Sequence, residues 1–190
     1  MAILGDIFGK TRPRAIEYLT IGSALTLGAG YLTQYGPGIG LDRLFGVQLG
    51  LDPCALCYYQ RYPYMAVIVL GVLAILALRG AGRRIQSYRL LALGVIVVML
   101  FADAAIAGYH IGVEQAWWTG PNTCSGGATG LGTVDLSKAL GTKPIVRCDQ
   151  PTDLWFGISM TTYNLVIALS FAIFGLMSFI GLRKEDQVGS

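Results

Sequence analysis

The sequence is short of charge. Asp, Glu, Lys and Arg make up 13% of its 190 residues against 54% hydrophobic, and the mean hydropathy is +0.57, a balance that soluble domains of this size rarely have. Histidine is nearly absent, with His110 alone. No second short Cys-X-X-Cys accompanies Cys54 and Cys57, so the ligand spacing of a structural zinc module is missing. No internal repeat, linker or second domain is visible. The Gly-rich stretch from Ser125 to Thr133 lacks the Gly-Lys-Ser/Thr ending of a phosphate-binding loop. The formal charge of +3 does not indicate a nucleic-acid partner, because the basic residues do not alternate with aromatics along one polar face. They stand at the ends of apolar runs, as in membrane proteins.

What is abundant is apolar length. A helix rises about 1.5 Å per residue, so about 20 apolar residues cross a hydrocarbon layer about 30 Å thick. Four stretches qualify, at about 16–35, 54–78, 90–110 and 160–182. The expected fold is therefore all-α: one integral membrane domain over 1–190, an antiparallel bundle of four transmembrane helices with a long loop at about 111–159 between helices three and four. The first run follows Lys10, Arg12 and Arg14, as a cleavable signal peptide would, but it is long for an h-region.

Basic residues set the orientation, since short cytoplasmic loops keep Lys and Arg. Lys10, Arg12, Arg14, Arg79, Arg83, Arg84, Arg89, Arg183 and Lys184 fall on one side, and Arg43, Lys138, Lys143 and Arg147 on the other, beside Glu114, Asp135, Asp149 and Asp153. Both termini are expected in the cytoplasm, and all four cysteines on the opposite, oxidising side, which in a bacterium is the periplasm.

Asp52-Pro53-Cys54-Ala55-Leu56-Cys57 reads as a helix start, with Asp52 as cap and Pro53 in the first helical position. Cys54 and Cys57 then share a face, where free N–H groups and the helix dipole favour a thiolate. A bridge between them would close a loop too short to stabilise much, so the pair reads as reactive. Cys124 and Cys148 fit either a structural bridge or exchange chemistry. Arg147 and Asp149 act on Cys148 in opposite senses. Arg61, four residues after Cys57, is placed to hold an anion beside it, or else to snorkel to the interface. Pro63 removes the N–H that the carbonyl of Tyr59 would accept, which points to a kink.

Among the remaining polar residues, His110 ends helix three on the cysteine side, where it can hydrogen-bond a ligand, pass protons or simply meet the headgroups, and Glu114, one turn on, shares these readings. Asp103, deep in the third run, is a functional candidate by depth, or a carboxyl group tying two helices together. Trp117, Trp118 and Trp155 read as interfacial anchors.

Cys54-Ala55-Leu56-Cys57-Tyr58-Tyr59-Gln60-Arg61 resembles the Cys-X-Leu-Cys-X-X-X-Arg signature of the DsbB family. The likeness continues through Tyr109–Glu114, Trp118–Pro121, Cys124–Gly127 and from Cys148-Asp149 to Met160, in the same order. The resemblance implies a quinone-dependent thiol oxidase of the bacterial inner membrane that reoxidises a DsbA-like periplasmic protein of the thioredoxin fold, with ubiquinone or menaquinone as acceptor. It implies a Cys124–Cys148 disulfide, attacked at Cys124 to give a transient mixed disulfide. Electrons then pass to Cys54 and Cys57, with Cys57 the thiolate against the quinone and Arg61, His110 and Glu114 around that ring. Two other readings remain open at this level: a reductase similar to vitamin K epoxide reductase, and a non-enzymatic scaffold with structural disulfides.

Overall fold

The computed structural model describes residues 14–35, 52–79, 86–121, 124, 146–151, 153–155 and 157–188. Lys10, Arg12, Arg43, Arg83, Arg84, Asp135, Lys138, Lys143 and the Ser125–Thr133 stretch lie outside them, as do the side chains of Arg79, Asp153 and Trp155. The described elements are four helices, α1 (Ala15–Tyr35), α2 (Ala55–Arg79), α3 (Gln86–Glu114) and α4 (Met160–Val188), with two short strands, β1 (Asp153–Trp155) and β2 (Ile158–Ser159), between α3 and α4.

Helix boundaries follow capping chemistry rather than hydropathy. The helix start expected at Asp52 moves: α2 begins at Ala55, and Cys54 is itself the cap. Its carbonyl accepts the Tyr58 N–H at 3.2 Å and its sulfur accepts the Cys57 N–H at 3.3 Å, which satisfies a donor that the first turn leaves free. Ser159 does the same for α4, accepting the Thr162 N–H at 3.3 Å. α3 outlasts its apolar run at both ends, and Glu114, expected in the loop, is its last residue. The helix closes in a paired-carbonyl stop: Ala116, at φ 56°, donates to Val113 O at 3.1 Å, and Trp117 donates to Gly112 O at 2.9 Å. This is the Schellman arrangement with alanine where glycine is usual. α2 runs on through Pro63 without a break.

Among the described residues, three helices are long and apolar enough to cross a membrane, over Ala55–Leu78, Tyr88–Glu114 and Met160–Glu185. α1, expected as a fourth span, is not among them; its 21 residues include Glu17, Thr20, Ser23, Thr26, Thr33 and Gln34, which dilute its hydropathy. Large apolar side chains such as Leu73, Leu76, Val98, Val166 and Ile173 are more than half exposed or nearly so, an arrangement that water would penalise and hydrocarbon favours.

The chain divides into two compact units. The first takes Met1–Ala29, Tyr62–Ala104 and Val166–Ser190. Its core joins Ile16 and Leu19 of α1, Tyr64 and Val67 of α2, Leu93, Ile96 and Leu100 of α3, and Ala172 of α4. Small residues let these helices approach: a Cβ on Gly71 would run into Thr20, and one on Gly175 into Val97, the usual device where hydrocarbon gives no push between helices. Asp103 is fully buried here and takes a hydrogen bond from Tyr64, which ties α3 to α2. The second unit takes Gly30–Arg61 and Ala105–Leu165 and contains every cysteine. Its strands pair antiparallel, Asp153 with Ser159 and Trp155 with Ile158, across Gly157 at φ 70°. The hydropathy profile gives no sign of this ribbon, because two or three residues are too few for an alternating pattern to register.

Candidate active site

Both cysteine pairs meet in one buried cluster. Cys124 and Cys148 form a disulfide, and the two residues cluster with Cys54, Leu56 and Val113, with Ala55 and Cys57 packed against them. Cys124, Cys148 and Cys54 are 2%, 1% and 6% exposed, whereas Cys57 is only partly buried. The loop reaches the cluster through short bonds: Cys124 N donates to Pro121 O at 2.8 Å and Cys148 N to Cys124 O at 3.3 Å. Beside them Arg147 closes a two-pronged pair on Asp149, Nε to Oδ1 at 2.9 Å and a terminal nitrogen to Oδ2 at 2.5 Å. That pair holds the Asp149 carboxyl below the usual carboxylate range and leaves the guanidinium committed to a carboxylate rather than to Cys148.

Cys54 and Cys57 are free thiols with sulfurs 2.9 Å apart. The Cys54 thiol is drawn well below its ordinary range, first by the hydrogen bond from Cys57, then by His110, against burial, which raises it. His110 stands 3.6 Å from Cys54 Sγ through Nε2, and its Nδ1 lies 2.9 Å from Gln60 Nε2 and 3.2 Å from Thr161 Oγ1. Thr161 donates to Glu114 Oε1 at 2.6 Å, and that oxygen lies 3.8 Å from His110 Nε2. Asn164 donates to Gln60 Oε1 at 2.9 Å. Cys54, His110, Glu114, Gln60, Thr161 and Asn164 are thus one continuous polar network, buried at its centre.

Arg61 has turned toward α1. It donates to Gln34 Oε1 at 3.0 Å and to Gly30 O at 3.5 Å, and its guanidinium stacks on Tyr31 at 4.7 Å and Tyr58 at 5.1 Å. These contacts hold the guanidinium against α1. Arg61 follows Cys57 by one turn of α2. Trp118 is also more than an interfacial anchor: its indole N–H donates to Tyr109 O at 3.0 Å, its ring stacks on Tyr109 at 5.8 Å, and it covers Gly112 so closely that a Cβ there would overlap it.

Gln60, Thr161, Asn164, Gln34 and Tyr31 carry the site without having been singled out in the sequence. The available signal was polarity inside an apolar run, which is expensive in a bilayer and so points to a partner. Naming the partner needs the packing of the helices.

The ligand atoms of Cys54, Cys57 and His110 lie within 4.8 Å of one another and could hold a metal ion. A tetrahedral zinc site keeps its sulfurs about 3.8 Å apart, from Zn–S bonds of about 2.3 Å. The observed 2.9 Å suits sulfurs poised to join each other. One pair already bonded, one pair reduced at a helix start and a shared cluster between them are the parts of a thiol–disulfide exchange relay.

A family model described as "Disulfide bond formation protein DsbB" matches residues 14–178. An uncharacterised protein of Rickettsia prowazekii, RP370, is 30% identical over 131 residues, covering 67% of this chain and 72% of its own. Proteins named disulfide bond formation protein B are 27% identical in Aromatoleum aromaticum, covering 74% of this chain and 81% of that one, and 28% in Xylella fastidiosa, covering 73% and 78%. No solved structure matches. With its reduced Cys-X-X-Cys and its loop disulfide packed into one cluster, this helical membrane chain belongs to the DsbB family and is a protein-disulfide oxidoreductase.

Proposed function

We propose that the protein is a quinone-dependent thiol oxidase of the bacterial inner membrane that reoxidises a DsbA-like periplasmic dithiol protein. The observation that carries this is the single buried cluster holding the Cys124–Cys148 disulfide against Cys54 and Cys57. The chain crosses the membrane four times as an antiparallel bundle, α1 included, with both termini cytoplasmic and the cysteines periplasmic; the basic residues at the ends of the apolar runs support that orientation.

The partner's thiolate attacks the Cys124 sulfur, the Cys124–Cys148 bond breaks, and Cys148 leaves as a thiolate. The partner's second thiolate then closes its own disulfide and releases Cys124. The resulting dithiol is reoxidised by exchange with a Cys54–Cys57 disulfide, which leaves Cys54 and Cys57 reduced. A bound quinone would supply the sink, taking up two electrons and two protons per disulfide made. The residues suit such a group: a ring with two carbonyl acceptors needs donors and flat neighbours. Arg61 has N–H groups beyond its two bonds to α1, and the rings of Tyr58 and Tyr31 lie beside it, next to the partly exposed Cys57. Arg61 would hold an oxygen of such a ring, and His110 and Glu114 would handle protons at Cys54.

The purified protein should oxidise a reduced thioredoxin-fold partner only when ubiquinone or menaquinone is added. Cys57→Ser should abolish turnover, and Cys148→Ser should trap the partner on Cys124. Undiminished turnover by Cys57→Ser, or oxidation that ignores quinone, would refute the reading.

A further inference from the structure

Gln60 sits one residue before Arg61 on α2, and nothing in the exchange chemistry itself requires an amide there. Its position in the polar network gives it a task. Asn164 donates through Nδ2 to Gln60 Oε1 at 2.9 Å, so the other end of the Gln60 amide, Nε2, faces His110 Nδ1 at 2.9 Å. An amide nitrogen only donates, so Nδ1 must present its lone pair. A neutral imidazole with a bare Nδ1 carries its proton on Nε2. Thr161 agrees with this, because its one hydroxyl proton goes to Glu114 Oε1 at 2.6 Å and asks nothing of the ring.

We propose that Gln60 is a positioning residue which fixes His110 as the Nε2–H tautomer, so that the ring donates to the Cys54 sulfur and stabilises it as a thiolate. The inference rests on the thiol-oxidase reading for its purpose, though its geometry does not depend on quinone or partner. Nε2 has the Cys54 sulfur 3.6 Å away and Glu114 Oε1 at 3.8 Å; of the two, the sulfur is the hydrogen-bond partner. When a loop thiolate opens the Cys54–Cys57 disulfide at Cys54, Cys57 leaves; when the second loop thiolate then breaks the mixed disulfide between the loop and Cys54, the electron pair of that S–S bond goes to Cys54. A donor already aimed at that sulfur stabilises the charge as it forms, which is how a fixed hydrogen bond lowers a leaving group's barrier. The Cys57 N–H, 3.3 Å from the same sulfur, adds a second fixed donor. The titratable groups facing His110 are Cys54 of the α2 cap, Cys57 one turn on with its sulfur within 4.8 Å of a ring nitrogen, and Glu114 on α3; among the described residues α4 contributes the neutral Thr161 and Asn164.

Because His110 is the single histidine in the chain, its ring can be read directly. In protein labelled with 15N-histidine and reduced, the ring nitrogens should give a protonated Nε2 and a bare Nδ1. Reversing both amides would instead put the proton on Nδ1 and turn a lone pair to Cys54, and that spectrum would overturn the proposal without any variant having to fold. Gln60→Met, close in size but without an amide, should lose the tautomer preference and cut the rate of Cys54 alkylation at slightly acidic pH at least tenfold, equivalent to a rise of one pKa unit or more. The alkylated cysteines are separated by mass, so Cys54 is read apart from Cys57. His110→Phe should slow Cys54 at least as much, and His110→Gln, which restores an N–H, should recover part of the rate. A Cys54 rate unchanged in both Gln60→Met and His110→Phe would also overturn the proposal. Absence of quinone-linked turnover alongside the expected ring spectrum would count against the thiol-oxidase reading alone.

Discussion

At the scale of single residues, the chemistry turns on Cys54 being a helix cap as well as a thiol. Its sulfur takes the Cys57 N–H and faces His110, so its ionised form is favoured in the folded chain, and its folded pKa lies below that of an unfolded thiol. The linkage sign follows: stability from this group is present above the unfolded pKa and is lost as pH falls through the folded one. In the reduced protein, Cys54 should therefore stay open to alkylation at pH values where an ordinary thiol is protonated, and both its reactivity and part of the fold's stability should decline only on acidification. Mass-resolved alkylation against pH checks this; a midpoint at the ordinary thiol value would show that the cap and the imidazole do nothing for the sulfur. The cysteines, Arg61, His110 and Glu114 were legible in the sequence, because Cys-X-X-Cys, an arginine one turn later and polar groups at the end of an apolar run each carry a physical cost that asks for a reason. Gln60, Thr161 and Asn164 were not. A glutamine in an apolar run is visible, but only the packed helices reveal that Asn164 orients it and His110 receives it.

At the scale of elements, hydropathy located the helices and capping chemistry decided where they end. The apolar runs placed all four helices to within a few residues, yet α3 runs on to Glu114 and stops only where Ala116 adopts a left-handed conformation. A non-glycine residue there costs about 1–2 kcal/mol. The turn that follows brings Trp118 back over Gly112, so the end of α3 and the approach to Cys124 are fastened together by one aromatic side chain. Gly112→Ala should be destabilising by about 1–3 kcal/mol, the usual range for forcing extra volume into a packed contact, and should displace Trp118, visible as a change in its fluorescence. The same substitution made in a Trp118→Ala background should cost much less, because the obstructing ring is gone. Equal penalties in the two backgrounds would mean that Trp118 does not rest on Gly112. The β1–β2 ribbon is the element that sequence pattern could not supply, since its register depends on a turn at Gly157 and on α4 being capped at Ser159.

At the scale of the whole molecule, the membrane and the redox chemistry constrain each other. Among the described residues, three helices are apolar enough to span unaided, and an odd number of crossings would leave the two termini on opposite sides. Basic residues stand both before α1 and at the end of α4, at Arg14, Arg183 and Lys184, and positive charge is retained on the cytoplasmic side. The four crossings proposed above would reconcile these facts, and α1 could tolerate Thr20 and Thr26 there because their hydroxyls bond back to the Ile16 and Gly22 carbonyls at 2.6 and 2.9 Å, which removes most of the desolvation cost. Single cysteines introduced at Gln187 and at Arg14 in a chain whose native cysteines are replaced by serine should resist a membrane-impermeant maleimide in intact spheroplasts and react after permeabilisation. A cysteine introduced at exposed Val146 should react before it. Labelling at Arg14 from outside, with Gln187 protected, would leave three crossings and take α1 out of the membrane, along with the Gln34 and Tyr31 contacts that steady Arg61 beside Cys57.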